Sequence, residues 1–162
     1  MSGKNLLDGK KILVVDDEPD VLDTLEGLLS MCEVKKASTF KEAQNLLETE
    51  VFDIAILDIM GVDGYKLLDI ARKKKVIPVM LTAHALSVEN TVRSFKEGAA
   101  SYLPKDEMGN ITVHLNDILE AREKGDNSWW RWLDRLGAYY EKKFGPDWQK
   151  KDKDFWERFP SW

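Results

Sequence analysis

The sequence predicts an α/β protein, a doubly wound five-stranded parallel sheet followed by a helical C-terminal extension. Three observations lead there. Short β-branched apolar runs alternate five times with segments whose apolar residues recur at helical spacing. The run Ile54-Ala55-Ile56-Leu57 is continuously apolar, as suits a strand covered on both faces. Polar, chemically useful residues then stand where the runs end, and the carboxyl ends of strands are where open parallel sheets bind ligands.

Taken in order, Lys11-Ile12-Leu13-Val14-Val15 is a first strand that ends in Asp16-Asp17-Glu18-Pro19. Pro19 suits the first turn of a helix, and Val21, Leu22, Leu25, Leu28 and Leu29 give that helix one apolar face. Glu33 to Ala37 is a weaker strand. Ser38 or Thr39 can cap the second helix, with Glu42 placed for a capping box and Phe40, Ala43, Leu46 and Leu47 facing inward. The third strand ends at Asp58, and a Gly-containing loop through Gly64 leads to a helix carrying Leu67, Leu68 and Ala71. Val76 to Leu81 is the fourth strand, ending at Thr82-Ala83. Ser87 caps a helix bearing Val88, Val92 and Phe95, which Gly98 closes. Ala99 to Leu103 is a short fifth strand before Pro104-Lys105, and Ile111, Leu115, Ile118 and Leu119 mark the fifth helix. Every crossover is long enough for a right-handed parallel connection.

Composition narrows the function classes. A hydrophobic share of 43% with 33% charged residues describes a soluble globular chain. No apolar run approaches the roughly 20 residues of a spanning helix, and the first residues lack the apolar core of a signal peptide. The single cysteine, Cys32, excludes an internal disulfide framework and fits a reducing cytoplasm. Residues 1–125 carry 16 Lys/Arg against 22 Asp/Glu, whereas residues 126–162 carry 8 against 7. An acidic first part argues against nucleic acid as a partner, which needs a basic patch. All six tryptophans lie at or beyond Trp129, and that shift divides the chain into a main domain, 1–125, and an extension, 126–162.

Asp16, Asp17, Asp58, Thr82 and Lys105 follow strand ends that share one edge of a parallel sheet. Several carboxylates brought together repel and resist ionising unless a cation compensates them. Mg²⁺, a hard ion that takes oxygen ligands, answers that need. Lys105 adds a compact positive charge for an anionic oxygen, and Thr82 a neutral hydroxyl. Together they form a phosphoryl-binding set in which Asp58 can serve as a carboxylate nucleophile. Ala83, small, leaves the phosphoryl group room.

Val14-Val15-Asp16-Asp17-Glu18, Leu57-Asp58-Ile59-Met60, Leu81-Thr82-Ala83 and Tyr102-Leu103-Pro104-Lys105 together resemble the receiver domains of bacterial two-component response regulators. The likeness covers about residues 10–123 and implies a flavodoxin-like (CheY-like) strand order of 2-1-3-4-5. It further implies Asp58 as phosphoacceptor, and Asp17, Asp58 and the Met60 carbonyl as Mg²⁺ ligands, with Asp16 acting through water. Thr82 and Tyr102 match the switch pair, and Lys105 the phosphate-contacting lysine. In that family the hydroxyl moves toward the phosphoryl group and the aromatic ring turns inward, repacking the face formed by the fourth helix, fifth strand and fifth helix. Without the resemblance, a strand aromatic packed permanently is the favoured reading of Tyr102. Met60 and His84 match positions that tune how long the phosphoryl group survives, although His84 is equally a loop imidazole without a role. His114 is expected at the surface.

Two departures from the family pattern concern geometry. The loop Ile59-Met60-Gly61-Val62-Asp63-Gly64 lacks the usual proline and is about two residues short. Lys105 is followed by Asp106 instead of proline, so a cis bond there is not expected.

The extension shows no winged-helix or helix-turn-helix pattern. Trp129, Trp132, Leu133, Leu136, Tyr140 and Phe144 form one helical stripe, Gly145-Pro146 stops it, and Trp148, Phe155, Trp156 and Phe159 form a second. Three roles are open to it. The stripes can pack on the main domain, or Trp129, Trp132, Trp148 and Trp156 can anchor a homodimer or partner surface. Membrane contact is disfavoured by the near-neutral polar faces. The implied partners are a sensor histidine kinase or phosphotransfer protein and a downstream protein, with no DNA-binding domain. The rival expectation is a phosphorylation-independent adaptor that works through its aromatic extension.

Overall fold

The structure, a computed structural model, describes residues 5–159. Its elements are β1 (Lys11–Val15), α1 (Pro19–Leu28), β2 (Glu33–Ala37), α2 (Phe40–Thr49), β3 (Ile54–Leu57), α3 (Gly64–Lys73), β4 (Ile77–Thr82), α4 (Val88–Lys96), β5 (Ser101–Pro104), α5 (Ile111–Glu123), α6 (Trp129–Phe144) and α7 (Lys153–Arg158). Short 3₁₀ turns at Lys105–Asn110 and Lys150–Asp152 precede α5 and α7. The sheet is parallel, in the order β2-β1-β3-β4-β5.

β3 and β4 are buried along their whole length, as their unbroken apolar runs require. β2 is an edge strand whose Lys35 and Lys36 are exposed, and such charges discourage pairing with another sheet. Helix starts follow local chemistry. The Thr39 side chain accepts from the Glu42 amide, and the Glu42 carboxylate accepts from the Ser38 amide, one residue before the cap, at 3.0 Å, a shifted form of the capping box. Ser87 accepts from the Asn90 amide at the start of α4. Pro19 opens α1 without a side-chain cap.

Register sets the height of the strand ends. Val15 pairs with Leu57, so Asp16 and Asp58 emerge level on adjacent strands. The ladder runs one step further, with the Asp58 amide donating to Val15 O and the Asp16 amide to Ala37 O. Leu57 pairs with Met80, and Thr82 with Pro104, which brings Thr82 and Lys105 to the same edge.

The composition break near residue 125 falls in the turn between α5 and α6, and one apolar core runs continuously across it. Trp132, Leu136, Tyr140, Trp148, Phe155, Trp156 and Phe159 of the extension belong to the same buried cluster as the sheet. α6 and α7 lie over the face made by α4, β5 and α5. Phe95 of α4 sits at the centre, its ring 4.9 Å from Trp129, 5.0 Å from Trp132 and 5.3 Å from Phe159. Polar contacts rim the cluster: Arg131 pairs with Glu120 at 2.6 Å, Arg135 with Asp117, and Lys96 with Asp152 at 3.0 Å.

Two expectations need correcting. The indoles offered as anchors of an interaction surface are largely turned inward: Trp132, Trp148 and Trp156 are buried, Trp129 is half-buried, and Trp130 is the exposed one among the described residues. The apolar stripes found a partner in α4 and β5 of their own chain. Trp162 lies outside the described residues. His114 is buried, not at the surface: Glu107 of the preceding 3₁₀ turn lies 3.1 Å from its Nε2, and Ser128 and Trp132 of the extension line the same small cavity.

Candidate functional site: the strand-end rim

Asp16 and Asp58 are almost inaccessible to solvent, at 2% and 5% exposure, while Asp17 and Glu18 are exposed beside them. Carboxylate oxygens of Asp16, Asp17 and Glu18 all lie within 4.8 Å of one another. Asp16 turns the chain into this cluster, because its Oδ1 accepts from the Glu18 amide at 2.9 Å. Lys105 ties the cluster to the third strand. Its Nζ is 2.9 Å from Asp16 Oδ2, 3.2 Å from Glu18 Oε1 and 3.7 Å from Asp58 Oδ2. Asp58 Oδ1 accepts from the Ile59 amide at 2.9 Å.

The electrostatics follow from burial and crowding. Loss of solvent raises the Asp58 carboxyl to about 6, the Asp16 charge adds to the rise, and Lys105 and the Ile59 amide counter it only in part. Burial alone would lower the Lys105 ammonium, but the hydrogen bond to Asp16 and the charges of Asp58 and Asp16 hold it above its ordinary value. The donor set on the rim is made of hard carboxylate oxygens with no soft ligand, which fits Mg²⁺.

Thr82 is fully buried, and its Oγ1 accepts from the Ala85 amide at 3.2 Å. Ala83 and His84 are exposed on the turn that follows. Tyr102 is wholly buried with its ring turned inward, donating to Ala85 O at 2.7 Å. Met60, 53% exposed, lies on the loop after Asp58. The structure therefore brings Asp16, Asp17, Asp58 and Lys105 to one rim, with Thr82 at the adjoining strand end. The chosen indoles belong to a separate cluster.

Two residues escaped the sequence reading. Glu18 completes the acidic group and is the second carboxylate on Lys105. Its place directly after two rim acids was the available signal. Gly61 is the other. In the shortened loop its φ is +86°, and a Cβ built there would stand 2.5 Å from Asp17 Oδ2. A side chain at this position would push the carboxylate aside. The loop closes with Asp63 in the left-handed region, φ 56°, and with Gly64, where a Cβ would overlap the Asp58 carbonyl.

Comparison with known proteins places this geometry. The family model described as "Response regulator receiver domain" matches residues 12–116. Among curated proteins, the two-component response regulator ARR18 of Arabidopsis thaliana is 33% identical over 117 residues, covering 66% of this chain and 18% of that protein. The probable transcriptional regulator ycf27 of Guillardia theta is 36% identical over 100 residues, covering 59% of this chain and 39% of that protein. The chain thus spans well under half the length of these relatives. A solved CheY-like receiver domain protein from Methanospirillum hungatei JF-1 is 30% identical, with a TM-score of 0.65 over 72% of this chain and 98% of that one. The BeF3-activated DrrB receiver domain is 25% identical, with a TM-score of 0.61 over 69% of this chain and 98% of that one.

Proposed function

The chain belongs to the response regulator receiver family, and on that premise we propose that it accepts a phosphoryl group on Asp58 and signals by changing its protein contacts. The donor is a histidine kinase or a phosphotransfer protein carrying a phosphohistidine. A carboxylate oxygen of Asp58 forms the new P–O bond as the P–N bond to the donor imidazole breaks. The imidazole keeps the electron pair and takes up a proton. Asp58 is suited to this role because its carboxyl is buried, more basic than an ordinary aspartate, and held by the Ile59 amide through one oxygen only.

Lys105 carries the reading. Its ammonium spans Asp16 and Asp58, so it stands where an equatorial phosphoryl oxygen would need a positive charge. Asp16, Asp17 and Glu18, with Asp58 and the Met60 carbonyl, are the groups available to hold Mg²⁺. When bound, that ion would neutralise charge on the phosphoryl oxygens. Thr82, whose Oγ1 already accepts from the Ala85 amide, keeps its own proton to donate. Met60 and His84, exposed on the loops that follow β3 and β4, would tune the access of water to the acyl phosphate. The rival adaptor reading depends on exposed aromatic anchors, and burial of Trp132, Trp148 and Trp156 argues against it.

The test is direct. Incubation with Mg²⁺ and acetyl phosphate, followed by intact mass measurement, is expected to add one phosphate-sized increment that Asp58→Asn removes. A wild-type chain that gains no such mass, or an Asp58→Asn chain that still does, refutes the assignment.

A further inference from the structure

A series of buried hydrogen bonds connects the rim to the extension. The Ala85 amide donates to Thr82 Oγ1 at 3.2 Å, and the Tyr102 hydroxyl donates to Ala85 O at 2.7 Å. The Trp132 indole N–H then donates to Tyr102 O at 2.7 Å. A second connection enters from the far end of α6. The Tyr140 hydroxyl lies 2.6 Å from Thr91 Oγ1, whose own proton goes to Ser87 O at 2.6 Å. The turn 83–87, which orients the Thr82 hydroxyl, is therefore held at Ala85 through Tyr102 and at Ser87 through Thr91. Trp132 and Tyr140 of the extension back these two holds. Thr82, Thr91, Tyr102 and Tyr140 are each 0% exposed and Trp132 is 3% exposed, so water cannot replace a lost partner cheaply.

We propose that the extension is the resident occupant of the α4–β5–α5 face, and that Trp132 and Tyr140 are positioning residues for the phosphoryl site. With α6 seated, Tyr102 and the 83–87 turn are held in the arrangement that keeps the Ala85 amide on Thr82 Oγ1 and leaves its proton for the phosphoryl group. Seating of α6 and occupation of the rim therefore stabilise each other, and linkage makes the effect reciprocal. A partner that addresses this face must displace α6 to reach it. The inference rests on the assignment of Asp58 as phosphoacceptor.

The experiment uses the full chain and beryllofluoride with Mg²⁺ as the phosphoryl mimic. Trp132→Phe keeps a ring against Phe95 but removes the N–H, and Tyr140→Phe removes one oxygen. Each is expected to bind the probe about fivefold more weakly in a calorimetric titration. Hydrogen exchange supplies the reverse reading: the probe should slow exchange of α6 amides severalfold in the wild type and leave them unchanged in Asp58→Asn. Should Trp132→Phe fail to fold, Tyr140→Phe decides alone. Variants that bind the probe as tightly as the wild type, or α6 amides that ignore it, overturn the coupling. A wild type that binds no probe instead removes the Asp58 assignment itself.

Discussion

The rim and the aromatic cluster lie on two sides of Tyr102 and are built on opposite terms. At the rim, Asp16, Glu18 and Asp58 crowd around the ammonium of Lys105 with Asp17 beside them, and burial together with that crowding forces the Asp58 carboxyl up to about 6. Beneath the extension, rings meet rings: Trp132 lies 5.1 Å from Tyr140, Trp148 lies 4.8 Å from Trp156, and Phe155 lies 4.8 Å from Trp156. Burial of apolar area stabilises wherever the pieces fit, whereas crowded like charges cost stability and are kept only where their geometry is used. Mutations in the two regions should accordingly differ in sign as well as size.

The largest effect is expected in the cluster. Phe155, 1% exposed, packs α7 against α6 and α4, and Phe155→Ala should cost about 3–5 kcal/mol in urea unfolding. A loss below about 1 kcal/mol would mean that α7 is not part of the common core.

At the rim the sign reverses. The folded Asp58 carboxyl sits at about 6, above its ordinary 3.8, so between those values the native state binds more protons than the unfolded chain. Stability from this group is full below the lower value and is lost as pH rises through the upper one. Asp58→Asn, measured without divalent metal, should therefore be more stable than wild type at pH 7.5 by up to about 3 kcal/mol. That advantage should vanish near pH 4. Adding Mg²⁺ should narrow it, since the ion relieves the repulsion in the wild type. An Asp58→Asn chain less stable than wild type at neutral pH would show that the rim is not under electrostatic tension.

Gly61 sharpens the comparison by geometry alone. Gly61→Ala must hold φ near +86° with its methyl against Asp17, at a cost of about 1–2 kcal/mol and with weaker Mg²⁺ binding by titration. Gly125→Ala, at φ +73° with nothing within 4 Å of a built Cβ, is the matched control: it carries the backbone cost but should leave Mg²⁺ binding unchanged.

The smallest effect returns to the cluster. Trp156 Nε1 is buried with no hydrogen-bond partner among the described residues, while Trp132 Nε1 bonds Tyr102 O. Trp156→Phe removes an unsatisfied donor and should shift stability by less than about 1 kcal/mol. If it costs more than Trp132→Phe, ring volume and not the polar contact decides how each indole is held.

Local chemistry made most of the fold legible. Continuous apolar runs marked β3 and β4, the spacing of Ser38, Thr39 and Glu42 marked a capping box, and Gly145-Pro146 marked the end of α6. The strand-end residues were legible for a related reason. Parallel strands share a direction, so the residue after each run must fall on one edge whatever the exact register. Glu18 and Gly61 were missed because their roles depend on the path of a turn, which no periodicity encodes.

By itself, then, the order of residues determined the strand sequence, the gathering of acids with Lys105, and the amphipathic character of both extension helices. Those features depend on chain direction and side-chain period, which are local. Only the tertiary structure decided what the apolar stripes of α6 and α7 would cover, and whether Tyr102 and His114 would face water. An amphipathic helix carries a buried face but no address, and the address here came from the exposed flank of α4, β5 and α5, where Phe95, Tyr102 and Thr91 offered rings and hydrogen-bond partners to the indoles and to Tyr140.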